Sequence, residues 1–108
     1  MKTNWIVSAC GFGRNTLAFA LQKIEAAGFR RFELWGNVAH FYPMRTTTGE
    51  AAAMAADIRR RGFEIPSFLP ASAADPFNLA STDRTLREAS VSYYAHCCLL
   101  YTSRTPAA

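Results

Sequence analysis

Ala26-Ala27-Gly28-Phe29-Arg30-Arg31-Phe32-Glu33-Leu34-Trp35-Gly36 is the stretch on which the fold turns. Gly28 stands where the end of a helix needs a left-handed residue, a conformation that a Cβ penalises and glycine does not. A strand over Arg31–Trp35 follows at once. In a regular pleat Phe32 and Leu34 share one face, and Arg31, Glu33 and Trp35 share the other. The apolar face suits packing against helices. The face with the carboxylate suits the inside of a barrel. The strand runs into a loop, residues 36–45, that carries His40-Phe41-Tyr42-Pro43. A carboxylate, an indole and an imidazole delivered together at a strand's C-terminal end suit a site better than they suit a core.

The flanking sequence repeats the same unit. Trp5-Ile6-Val7-Ser8-Ala9 is a compact apolar run, ended by Gly11 and Gly13, and reads as the first strand. Asn15 is expected to cap a helix from about Thr16 to Ala27, with Leu17, Ala20, Leu21 and Ile24 at three- and four-residue spacing. Beyond the histidine loop, Thr47 and Glu50 fit a capping box. The helix they open reaches about Arg61, with Ala51, Met54, Ala55 and Ile58 on one face, and Gly62 stops it. Phe63–Leu69 reads as a third strand. Pro66 inside it has no amide hydrogen for a ladder, so it is expected at a bulge or an irregular strand end. A loop rich in Ala, Ser and Pro follows over residues 70–80, and Ser81 or Thr82 is expected to cap a third helix with Leu86, Ala89, Ser90 and Tyr93 on one side.

Helix-Gly28-Phe29-strand thus recurs as helix-Gly62-Phe63-strand, 34 residues later. Eight βα units in about 250 residues imply roughly 31 residues per unit. Strands alternating with amphipathic helices imply a parallel sheet. The fold class is α/β: a partial (β/α)8 TIM barrel of about three βα units with parallel strands.

The totals narrow the function classes. The chain has 108 residues, half of them hydrophobic and 19% charged, so it is globular rather than disordered. No apolar run approaches the roughly 18 residues of a membrane span. The N-terminal apolar segment is broken too early for a signal peptide, so a cytoplasmic location and no membrane partner are expected. Cys10, Cys97 and Cys98 show no CxxC spacing and indicate neither a disulfide framework nor a zinc site. The formal net charge of +4 includes one dense basic run, Arg59-Arg60-Arg61. It falls in the last turn of a helix, where cations complement the macrodipole. No interleaved aromatics accompany it, so no nucleic-acid partner is expected.

The segment from Ala26 to Gly36, followed by His40-Phe41-Tyr42-Pro43, resembles the start of a sugar phosphate isomerase/epimerase, a family of xylose isomerase-like TIM barrels. The pattern resembles the branch with ketose and fructoselysine 3-epimerases. Pro76-Phe77-Asn78-Leu79-Ala80 and Leu86-Arg87-Glu88-Ala89-Ser90 are similar to that branch's third loop and helix. The resemblance implies that residues 1–95 are the N-terminal part of such a barrel. It implies a sugar or sugar phosphate substrate, proton transfer next to a carbonyl, and a homo-oligomeric parent. In the full-length parent a divalent metal (Mn, Co or Mg) is held by carboxylates and a histidine from later strands. Those strands are not in this sequence, so this fragment is expected to be inactive alone, with no metal ligand and no catalytic residue of its own.

The resemblance assigns substrate binding to Glu33, Trp35 and His40. Glu33 would bond substrate hydroxyls or take part in an internal ion pair, for instance with Arg31. Trp35 would stack on a sugar face or wall the pocket, against simple packing, which its residue type favours. His40 would contact a hydroxyl or a phosphate, against a structural or exposed histidine. Phe12 is a further candidate for the pocket wall and Arg45 for a phosphate contact, with packing favoured for the first and a solvated loop position for the second. Residues 96–108 read as an unstructured or artefactual tail: Cys97 to Leu100 is apolar all round, and Cys98-Leu99-Leu100-Tyr101-Thr102-Ser103 is similar to translated sequencing-adapter read-through. Two other readings stay open, a fragment of another enzyme of the same superfamily (dehydratase or endonuclease-like) and a small non-enzymatic α/β interaction module.

Overall fold

The computed structural model describes residues 4–37, 39–70 and 76–103. Among these lie β1 (Val7–Ser8), α1 (Leu17–Ala26), β2 (Arg31–Trp35), α2 (Thr48–Arg60), β3 (Glu64–Leu69) and α3 (Arg84–Ser103), with short 3-10 turns at Ala9–Phe12 and Pro43–Arg45. The strands form one parallel sheet in the order β1-β2-β3. The chain is therefore a mixed α/β unit in which each parallel step between neighbouring strands passes through a helix.

The repeat around the two glycines holds at the level of single hydrogen bonds. Gly28 and Gly62 have φ of +91° and +90°. Gly28 N donates to Glu25 O and Phe29 N to Ile24 O; Gly62 N donates to Arg59 O and Phe63 N to Ile58 O. Each pair is a Schellman closure, which uses carbonyls the helix end would otherwise leave unpartnered. Both helices are thus stopped in the same way, and in both the glycine is followed by a phenylalanine on the way to the next strand.

The helix starts differ from expectation in two places. Thr16, not Asn15, caps α1, its Oγ1 accepting from Phe19 N at 3.1 Å. Asp83, not Ser81 or Thr82, caps α3, with Oδ1 accepting from Thr85 N at 2.9 Å, while Ser81 Oγ accepts from Asp83 N. Thr47 caps α2 as expected, accepting from Glu50 N.

The strand β2 divides the molecule. Phe32 and Leu34 are buried, whereas Arg31, Glu33 and Trp35 are half-buried. Phe32 and Leu34 join one core with Leu21 and Ile24 of α1, Ala51 and Ile58 of α2, Ile65 of β3 and Leu100 of α3. All three helices therefore supply the same side of the sheet. Phe32 meets the edge of Phe63 at 6.0 Å between ring centres, and burying each such ring removes about 1.5–3 kcal/mol of unfavourable hydration.

Pro66 lies at the expected irregularity. Arg31 pairs with Glu64, but Glu33 pairs with Ser67, so β3 carries one extra residue between those points. The bulge needs no ladder donor from the proline. It also resets the pleat, placing Ser67 on the same face as Glu33. From there the partners (Glu33 with Ser67, Leu34 with Phe68, Trp35 with Leu69) keep the 34-residue offset of the glycine repeat.

Two expectations are corrected. The first strand is shorter than residues 5–9: after Ser8 the chain turns into the 3-10 segment, with Ser8 Oγ accepting from Cys10 N. The tail from residue 96 is not unstructured over its first part, because α3 continues to Ser103. Ser90, Tyr93, Cys97 and Leu100 are all buried, at spacings of three and four residues. One stripe therefore carries the helix past Tyr94, and Tyr101 Oη donates to Pro66 O at 2.9 Å. Residues 104–108 lie outside the described residues. No helix among those described is long and apolar enough to cross a membrane.

Candidate functional site

The face of β2 opposite the core carries a polar row across all three strands. Ser8 ends β1, Glu33 is the middle residue of β2, and Ser67 follows the bulge of β3. Ser8 Oγ donates to Glu33 Oε1 at 2.9 Å, and Ser67 Oγ donates to Glu33 Oε2 at 2.8 Å. Each carboxylate oxygen takes one hydroxyl, and all three side chains are half-buried. Of the two roles weighed for Glu33, the ion pair with Arg31 does not form. Arg31 instead pairs with Glu64 at 3.3 Å and donates to Asn4 O at 2.9 Å.

Trp35 lies two residues further along the same face. Its six-membered ring packs on Gly13, where a Cβ would come within 2.5 Å of the indole. Glycine at 13 is thus required by close approach, not by its φ, which is negative at −61°. The other neighbour of the indole is His40, edge to face at 6.0 Å.

His40 is held from both ends. Asn37 Oδ1 accepts from His40 N at 2.8 Å and from Ala39 N, which fixes the turn after β2. The ring reaches across to the neighbouring connection, with Nε2 at 3.0 Å from both Phe12 O and Asn15 O. Two carbonyls can only accept, so Nε2 carries the hydrogen. Nδ1 is buried and bonds no described residue, and neither does Asn37 Nδ2. Neither ring nitrogen is open to a ligand from solvent in this arrangement. His40 fastens the turn after β2 to the segment after β1, and Trp35 fills the angle between them.

The other candidates separate from this group. Phe12 packs into the core and edge-on to Phe19, and only its carbonyl meets His40. Arg45 is exposed at the end of the Pro43–Arg45 turn. Phe77, in the loop before α3, stacks on Tyr93 at 4.0 Å, and Asn78 N donates to Ser90 Oγ at 2.7 Å, so this loop is anchored to α3. Arg59 and Arg60 occupy the last turn of α2, and Arg60 pairs with Asp57. Cys97 is buried, which pushes its thiol above the usual range, whereas Cys10 and Cys98 are exposed.

The structure brings Glu33, Trp35 and His40 together around the end of β2 and adds Ser8 and Ser67, which the sequence did not single out. A signal for Ser67 was present, since the glycine offset of 34 carries Glu33 onto it. Ser8 has no such marker, because it lies 25 residues from Glu33, off the 34-residue repeat.

Among the described residues no three His, Cys, Asp or Glu side chains converge as a metal site. Compared with protein-family models, with curated proteins and with solved structures, the chain matches none.

Proposed function

We propose that this chain is the N-terminal part of a (β/α)8 barrel of the sugar phosphate isomerase/epimerase kind and forms one wall of its substrate pocket. The observation that carries the reading is the Ser8–Glu33–Ser67 row. In barrels built from parallel strands the helices cover the outer face and the reacting groups lie toward the C-terminal strand ends. Here a carboxylate, two hydroxyls and an indole occupy the side of the sheet opposite the core. Strand order β1-β2-β3 with helices on one side is the order in which such a barrel begins.

In this reading Glu33 binds substrate hydroxyls and Trp35 walls the pocket. His40 acts through the rim, holding the two strand-end segments that flank the substrate. The family's divalent cation polarises substrate oxygens when it is bound. The residues of this chain do not fit it: Glu33 is a lone carboxylate with both oxygens bonded to serine, and His40 Nε2 is bonded to main chain. The cation's ligands and the carboxylates that move the proton belong to later strands. A cytoplasmic setting and carbohydrate metabolism go with this assignment.

The test joins gene and assay. The uninterrupted reading frame beyond Tyr94 is expected to encode carboxylates and a histidine at the ends of later strands. Its product is expected to epimerise or isomerise a ketose in the presence of Mn, Co or Mg, and the pure 108-residue chain to do neither. Turnover by the 108-residue chain alone, or a downstream frame without those ligands, would overturn the proposal.

A further inference from the structure

We infer that the Ser8–Glu33–Ser67 row accepts only hydrogen-bond donors, so that it receives the unphosphorylated, hydroxyl-bearing part of a polyol and turns a phosphate away. The inference rests on reading this face as the wall of a sugar pocket. It adds the polarity of the ligand at that wall.

A serine hydroxyl has one hydrogen and two lone pairs, and an ionised carboxylate has lone pairs only. Ser8 gives its hydrogen to Glu33 Oε1 at 2.9 Å and accepts from Cys10 N at 3.3 Å. Ser67 gives its hydrogen to Glu33 Oε2 at 2.8 Å. The four oxygens of the row therefore turn only lone pairs outward. A ligand hydroxyl can meet them by donating its own hydrogen. A phosphate at neutral pH is rich in acceptors and carries negative charge, so it meets lone pairs with lone pairs and a carboxylate with a like charge.

The surrounding charges do not reverse this. Arg31, the cation on the same face of β2, is two residues toward the strand's start and is already bonded to Glu64 and to Asn4 O. On the other side stands Trp35, whose ring is packed on Gly13 and His40 and brings no charge. The row is half-buried, where screening by salt is weaker than at an open surface. A sugar phosphate would therefore lie with its phosphate away from this row.

The test uses the 108-residue chain labelled with nitrogen-15. It is titrated separately with a neutral ketohexose, with the phosphate ester of that ketose, and with inorganic phosphate. The amide signals of Ser8, Glu33 and Ser67 are followed. The neutral ketose is expected to move the three together, the ester to move them no more than the neutral sugar does, and inorganic phosphate to leave them in place. Glu33→Gln is expected to weaken the ketose response about tenfold, the scale of losing bonds to a charged acceptor. Ser67→Ala, which keeps the carboxylate and needs no unpaired hydroxyl, is expected to weaken it less. Inorganic phosphate moving the same amides as strongly as the ketose would overturn the polarity and leave the sugar reading standing. A ketose response confined to other strand-end segments would do the same. No ketose response anywhere in a folded chain would overturn this inference, while the assay of the full reading frame would still decide the family reading.

Discussion

The two faces of β2 come from alternate residues of one five-residue strand, yet they are held by different physics. Phe32 and Leu34 sit in a continuous apolar core shared by all three helices, and they have no polar group to satisfy. Glu33 and Trp35, one pleat away, are half-buried and tied by specific contacts to Ser8, Ser67, Gly13 and His40. The first face is non-directional and tolerates any close-packed apolar set of the right volume. The second is directional, and each atom depends on a named partner. The core face makes the fold, and the polar face is where chemistry can be specified without disturbing it.

That contrast breaks most sharply at Phe32. Phe32→Ala is expected to cost about 3–5 kcal/mol through the cavity it leaves, read as lost amide-exchange protection across the core. Glu33→Ala should cost less, about 1–3 kcal/mol, by stripping both serine hydroxyls of their acceptor. Equal losses from the two variants would contradict the division of labour between the faces.

A smaller effect is expected at the rim. His40→Ala should cost about 1 kcal/mol and speed amide exchange at Asn15, whose N–H bonds Phe12 O beside the imidazole. His40→Gln, whose side-chain amide nitrogen can stand in for Nε2, should restore most of that protection. If Gln behaves like Ala, the bond from Nε2 to the two carbonyls is not what holds the segment.

The smallest effect lies on the covered side, at Cys97. Burial raises its thiol above the ordinary value of 9.0, so the folded state holds this proton more tightly than the unfolded chain. The stability this contributes is present below the unfolded value and is lost as pH rises through the folded one. Melting temperature should therefore fall more steeply above about pH 9 than in Cys97→Ala, with no difference between the two slopes near neutrality.

The division between the faces of β2 was legible in the alternation of Arg31 to Trp35, and the two helix stops were legible in Gly28 and Gly62. Pro66 announced its bulge because a missing amide hydrogen admits few other places in a sheet. Ser67 was encoded in the 34-residue offset but is inconspicuous as a residue type. The role of His40 was not legible, since its partners are carbonyls of Phe12 and Asn15, and every residue has a carbonyl. The cap of α3 fell to Asp83 from a run of three polar residues, Ser81, Thr82 and Asp83, each able to cap. The continuation of α3 was hidden by reading Cys97 to Leu100 as a local apolar block. Over a longer window Ser90, Tyr93, Cys97 and Leu100 form one stripe.

In the barrel reading, the polar face is an interior surface and both edges of the sheet are places for further strands. A sheet edge that further strands would extend, beside exposed Trp5 and Ile6, favours pairing with another chain. Sedimentation velocity over a concentration series, with calorimetry on the same samples, tests this most directly. The 108-residue chain is expected to associate as concentration rises or to melt without a single cooperative transition. A monomer at every concentration that melts cooperatively would contradict it.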